Sequence, residues 1–199
     1  MDTGYFPGQQ TDEKVLYVVR PHVYGLYVDT TKVLGLAIFL LVVMLMLSKF
    51  IALFVLFGLL LSGLVAIIGL WVVISMYEKS VAYITDRRVV RFEAATPFAT
   101  NTRSLAWDQV AKIKTFPRNV LMKMLMVGTV TVHSGSTYVH THEQTRENVY
   151  TNDDLELENV FYYKDLGNYL DKLLYMYKTK PEELAQMRPF VPRPTGQRG

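Results

Sequence analysis

From Val33 to Met76 the chain runs 44 residues with a single charge, Lys49, in a field of Leu, Val, Ile, Phe and Met. As one straight helix this stretch would reach roughly 66 Å, twice a bilayer's hydrocarbon core of about 30 Å. It therefore has to turn back on itself. Ser48-Lys49 is the polar pair that interrupts the run, so the pattern predicts a hairpin of two membrane helices with both flanks on one side. No Asp, Glu, His or Arg lies within the run, which leaves an ion pathway or proton relay nothing to use and argues against a transporter.

Basic residues set the expected orientation. Arg20, Lys32, Lys79, Arg87, Arg88 and Arg91 flank the outer ends of the hairpin, against Lys49 alone in its turn. The positive-inside bias then predicts a multi-pass protein of the cell (plasma) membrane with both termini cytoplasmic. Tyr24 and Tyr27 suit the interface, and Asp29 and Lys32, three apart, can pair there. Arg20, Lys32 and Lys79 are the candidates for lipid headgroups. In the second helix Gly58, Ser62, Ala66 and Gly69 form a stripe of small side chains that lets another helix approach closely. Packing against the first helix is the plain reading of that stripe, and a homo-oligomer or partner contact is the alternative.

Residues 1–22 form an N-terminal segment without a basic start or a short apolar core, so no cleaved signal is expected. Pro7-Gly8 reads as a turn. Val15 to Val19 reads as a short strand, either an added sheet edge or an interfacial segment, stopped by Arg20-Pro21-His22. The chain has no cysteine, which removes disulfides, thiolate metal sites and cysteine nucleophiles together.

Beyond the hairpin (residues 23–77) the period changes to two. Val81 to Ile84 and Val89 to Phe92 read as a strand pair around Thr85-Asp86-Arg87-Arg88, with Asp86 able to bond its own backbone. Arg103 to Trp107, Val110 to Phe116, Gly128 to His133, Thr137 to His142 and Leu155 to Val160 read as further strands. From Tyr162 the period returns to 3.6, with Leu166, Leu170, Leu173, Leu174 and Tyr177 on one face. Strands followed by one amphipathic helix predict an α+β membrane protein: a two-helix hairpin plus a bent antiparallel sheet (78–179) closed by the helix. Residues 180–199, with Pro181, Pro189, Pro192 and Pro194, read as a Pro-rich basic tail, disordered beyond a short helix at Pro181 to Met187.

Four segments resemble the bacterial pleckstrin-homology (PH) domain membrane proteins: Glu13 to His22, Tyr83 to Val90, Arg103 to Val110 and Leu125 to Val132. Their order around a two-helix anchor carries the likeness, which covers most of residues 13 to 175. The resemblance implies a PH-like β-barrel capped by a C-terminal helix and no catalytic activity. It assigns no binding residues. Glu143 to Asp154 departs from the family pattern as a long polar insertion.

Chemistry-bearing groups are few. His140 and His142 would share one face of a strand, about 6 to 7 Å apart, with His133 and Glu143 near in sequence. A metal-dependent hydrolase or sensor on His133, His140 and His142 is the alternative function this allows. Solvent-facing histidines are the simpler reading, because no nucleophile motif or paired carboxylate accompanies them. Ser134 and Ser136 read as turn residues, and Asp153, Asp154, Glu156 and Glu158 as a solvated strand edge. No cofactor is expected. Residues 79–123 carry a net charge of +6 and residues 124–165 a net of −5, which predicts one positive and one negative face and no continuous basic track for nucleic acid.

Asn119 to Gly128 is apolar nearly all round, with Val120, Leu121, Met122, Met124, Leu125, Met126 and Val127 about a lone Lys123. A connection between strands is normally polar. A helical turn here would bury Leu121 and Leu125 and expose Met122 and Met126, making Met122, Lys123 and Met126 a docking surface with Lys123 as a rim charge. Together these features predict a membrane-anchored interaction module on the cytoplasmic face. It would serve protein assembly, through a protein partner or homo-oligomer, with membrane lipids and their anionic headgroups as a further contact. A structural anchor for another protein is the remaining alternative.

Overall fold

The apolar run folds as two helices, α1 (Val23–Leu47) and α2 (Leu53–Lys79), in a computed structural model that describes residues 5–49, 52–135, 137–141, 148–152, 154–184 and 186–192, the ranges 137–141 and 148–152 by backbone alone. Both helices are long and apolar enough to cross a membrane, and only 6% and 11% of their most apolar windows is buried. A helix in the core of a soluble domain would be buried, so these are not core helices. α1 starts ten residues before the apolar run because His22 caps it, its Nδ1 accepting from the Tyr24 amide at 3.1 Å. Lys32 Nζ reaches Asp29 at 2.7 Å, the pairing their spacing predicts.

The small-residue stripe is where the two helices meet. A Cβ on Gly58 would stand 2.6 Å from Met44 Cβ, and one on Gly69 would stand 2.5 Å from Val33 Cγ1. These contacts pair rising positions on one helix with falling positions on the other, so the helices are antiparallel. Ser62, between them, is buried. The stripe is thus used within the chain, as the plain reading has it.

The chain falls into two compact units: His22–Ser80 with Glu93–Thr100, and Met1–Pro21 with Val81–Phe92 and Asn101–Gly199. The second is the sheet unit. Strands β1 (Val15–Val19), β2 (Val81–Thr85), β3 (Arg88–Ala94) and β4 (Thr100–Ala106) form one sheet in that order. A second sheet takes β5 (Val110–Phe116), β6 (Val127–Ser134) and, beside β6, β9 (Leu155–Phe161). β7 (Thr137–Thr141) and β8 (Asn148–Asn152) make a separate two-stranded ribbon. β8 lies in the 143–154 insertion, a polar segment in which no strand is expected from the sequence.

The expected closed barrel is not formed, and the reason lies between β4 and β5. There a 3-10 turn, Trp107–Gln109, interrupts the ladder. Trp107 is fully buried, its indole N–H donating to Thr85 O at 3.0 Å and its amide to Arg87 O at 3.1 Å. The chain is pinned to the first sheet at that turn and starts a new sheet after it. Two sheets and α4 (Tyr163–Thr179) then enclose one core: Leu16, Ile84, Val89 and Leu105 from the first sheet, Val130, Val132, Leu155 and Leu157 from the second, and Leu166, Leu170 and Leu173 from the helix. The 3.6 period read from the sequence is the face that α4 buries.

Two terminal segments join this core, and both depart from the expected boundaries. β1 pairs antiparallel with β2, Val19 opposite Ala82, which decides for the sheet-edge reading of the N-terminal strand. After α5 (Pro181–Leu184) the chain packs back instead of leaving as a free tail. Leu184, Met187 and Phe190 are buried in the core, and the Phe190 amide donates to Leu16 O at 3.3 Å. The short helix expected at Pro181 to Met187 is present over Pro181–Leu184, whereas the disorder expected beyond it does not hold as far as Phe190; the proline count misses three apolar side chains spaced by three. Residues 193–199 lie outside the described residues.

The β2–β3 turn holds the N-terminal segment through one buried carboxylate. Glu13 is 4% exposed. Its oxygens accept from Arg88 Nε and Nη2, both at 2.9 Å, from Thr85 Oγ1 at 2.8 Å and from the Gln10 amide at 3.0 Å. Burial pushes its pKa up, but the Arg88, Gln10 and Thr85 hydrogen bonds outweigh that and leave it below the usual carboxylate value. Thr85, not Asp86, supplies the local turn bonds, its hydroxyl accepting from the amides of Arg87 and Arg88 at 3.2 and 3.0 Å. Asp86 instead accepts from the Lys14 amide at 2.9 Å.

Candidate interaction surface

Between β5 and β6 the apolar connection forms α3 (Val120–Met124). Asn119 opens it, Oδ1 accepting from the Met122 amide at 2.7 Å, and amide bonds from Leu125 to Leu121 O at 3.0 Å and from Met126 to Lys123 O at 3.3 Å close it. Met126 sits at φ 56°, in the left-handed region. Its carbonyl accepts from the Tyr162 amide at 2.9 Å, tying the exit of the turn to the end of β9. At the entry, Arg118 Nη2 meets Glu158 Oε1 at 2.7 Å. The segment is thus anchored at both ends.

Its faces are the reverse of those expected. Met122 is 7% exposed and Met126 half-buried, while Val120, Leu121, Met124 and Leu125 are 75%, 60%, 75% and 45% exposed. With Asn119 fixing the first turn, Met122 falls on the inward side and its neighbours point out. A five-residue helix that is apolar apart from Lys123 carries too little amphipathic signal to tell its two apolar faces apart. Met122 is therefore not an exposed docking side chain and Met126 is only partly exposed; Val120, Leu121, Met124 and Leu125 are the exposed ones. Lys123 stays exposed, as do Lys112 and Lys114 on β5. Phe161, opposite Val127 in the ladder, is 42% exposed beside them.

The charge asymmetry takes a different form from two opposed faces. Lys114 lies opposite Thr131, and Thr131 opposite Glu156; Lys112 lies opposite His133. The cations thus run along β5 and the anions along β9, at the two edges of one sheet with β6 between. His133 Nδ1 is 2.8 Å from Asp154 Oδ2, whose other oxygen accepts from the Ser134 amide at 3.1 Å. Among the described residues no three potential ligands come together to hold a metal. The His140 side chain, Ser136, His142, Glu143 and Asp153 lie outside what is described.

Of the headgroup candidates, Arg20 is exposed, Lys32 is paired with Asp29, and Lys79 Nζ donates to Pro97 O. An open cleft of about 660 Å³ lies between α4 and the returning C-terminal segment, lined among others by Asp165, Tyr169, Lys172, Glu183 and Arg188. Its charges are mixed in sign. Tyr169 donates to Arg188 O at 2.8 Å, and burial pushes its pKa up to about 12. The hydrogen bond makes Tyr169 a strut between α4 and the returning segment.

Comparison with known families, with curated proteins and with solved structures finds no match.

Proposed function

We propose that the chain is a non-enzymatic, membrane-anchored interaction module: a PH-like domain held on the cytoplasmic face of the plasma membrane by the α1–α2 hairpin, and serving protein assembly. The observation that carries this reading is α3. Four exposed apolar side chains on a turn anchored at both ends, with Lys123 among them, have the make-up of an interface core with a charged rim. Support for the PH-like part comes from a four-stranded and a three-stranded sheet sharing one core with a C-terminal helix, although the sheets are not joined as a barrel. Arg20, Lys32 and Lys79, at the outer ends of the hairpin, supply anionic lipid headgroups with a secondary contact.

Two measurements test the reading. Because Leu121 and Met124 are exposed, replacing both with Ser should leave the melting temperature of the full-length protein unchanged while abolishing the species that crosslink through Lys123 in native membranes. Crosslinks that survive in the double variant would overturn α3 as the docking surface. For the orientation, a reporter fused after Tyr5 should be cytoplasmic and one inserted at Lys49 should lie outside; the reverse would refute it.

A further inference from the structure

The β3–β4 connection, Ala95 to Ala99, contains no charged residue, and it belongs to the same compact unit as the two apolar helices. Phe98 at its tip is 84% exposed. Its ring stands 5.6 Å from the ring of Trp71, itself 49% exposed on α2. Lys79, at the end of the same helix, donates to Pro97 O. The loop thus extends the apolar outer surface of the hairpin.

The amides of the loop are all hydrogen-bonded within it. The amides of Ala95 and Thr96 both donate to Ala99 O, at 3.0 and 3.2 Å. The Phe98 amide donates to Thr96 Oγ1 at 3.3 Å, and the Ala99 amide to Thr96 O and Oγ1 at 3.3 and 3.0 Å. Pro97 has no amide to satisfy, and its carbonyl takes the Lys79 bond. Every N–H from Ala95 to Ala99 is therefore occupied without water. Occupied amides lower the cost of bringing the turn to the shallow edge of the acyl region, where each unmet backbone group costs several kcal/mol.

From these observations we infer that the Thr96–Ala99 turn is a third membrane-inserted element, with Phe98 seated among lipid acyl chains beside Trp71. The inference rests on the membrane-anchor reading of the hairpin. Depth follows from helix length. α2 is 27 residues, about 40 Å against a hydrocarbon core of about 30 Å, so each end overshoots by roughly 5 Å. Trp71 lies two turns before Lys79, about 12 Å along the axis. Phe98 is thus expected in the shallow part of the acyl region, just beneath the headgroups, where aromatic side chains collect.

The test uses the absence of native cysteine. Single Leu60→Cys, Phe98→Cys and Glu182→Cys variants of the full chain, all at exposed positions, are labelled with an environment-sensitive fluorophore. They are reconstituted into phosphatidylcholine–phosphatidylglycerol vesicles containing nitroxide lipids of graded depth. The expected result is blue-shifted Phe98 emission, quenched most by shallow nitroxides and resistant to iodide. Leu60 should respond most to deep nitroxides, and Glu182 to iodide. A Phe98 label that behaves like Glu182 while Leu60 is quenched by lipid overturns the insertion and leaves the anchor standing. A Leu60 label that resists lipid quenching overturns the anchor, and the insertion with it.

Discussion

At the scale of single residues, the Glu13–Arg88 pair joins the segment before the hairpin to the strand turn after it. A buried ion pair gains little over an apolar substitute, but removing one partner strands the other charge. Arg88→Met leaves a fully buried carboxylate and should destabilise the sheet unit by about 3–5 kcal/mol in denaturant titration. Glu13→Gln should cost less, because Arg88 is a quarter exposed and can turn to water. The pH sign follows from the depressed pKa. Glu13 contributes stability that is present above 4.5, its unperturbed value, and is lost as pH falls through its lower folded value. The Glu13→Gln variant should therefore lack part of the acid-side loss; identical acid limbs in both proteins would show that the carboxylate carries no linkage. Spacing made the turn legible, but the assignment of its hydrogen bonds was not, because a Thr-Asp pair offers two oxygens for one role and only the position of Glu13 decides between them.

At the scale of elements, the helix pair and the C-terminal latch are opposite cases. The small-residue stripe was legible because a spacing of four, four and three has one geometric meaning on a helix in lipid. Gly58→Ala and Gly69→Ala each place a methyl against Met44 or Val33 and should cost about 1–3 kcal/mol by overpacking. Gly35→Ala and Gly63→Ala, with nothing within 4 Å of the new Cβ, should be neutral. The midpoint of unfolding in mixed detergent separates the two pairs. The latch was hidden because Leu184, Met187 and Phe190 are isolated among prolines and polar residues, and their value depends on a distant strand. Phe190 packs edge-on to Tyr17 at 4.8 Å and covers the outer edge of β1, which would otherwise present unpaired backbone. Phe190→Ala should cost about 3 kcal/mol, the lower end of the range for a buried Phe, and should raise aggregation. Phe190→Leu, which keeps most of the buried area, should recover most of the loss. The same dependence on distant partners hid the orientation of α3 and the interruption of the barrel at Trp107. In each case a local pattern allowed two packings, and a long-range contact chose one.

At the scale of the whole molecule, the chain passes between its two units four times, yet the sheet unit closes across the hairpin with no gap. β1 ends just before α1 and β2 begins just after α2, and the two strands pair antiparallel with Val19 opposite Ala82. Arg20 and Val81 are the next facing pair in that register. Two residues suffice to join antiparallel strands at such a point. Pro21 to Ser80 can therefore be replaced by Asn-Gly, whose type I′ turn matches strand twist, without disturbing the ladder. Phe98→Ser would be added, because that side chain is 84% exposed and loses Trp71 as its neighbour. The product keeps the whole core of the sheet unit, including Leu16 from β1 and Phe190 from the latch, so it should be soluble and melt cooperatively. It also has a built-in probe. The chain has two tryptophans, and with Trp71 gone the remaining one is Trp107, fully buried with its indole N–H bonded to Thr85 O. Its emission should be blue-shifted in the folded state and move to the red in one transition with denaturant. An insoluble product, or a gradual red shift without a transition, would mean that the sheet unit needs the helices to fold. The hairpin would then be part of the domain's structure and not an anchor inserted between two of its strands.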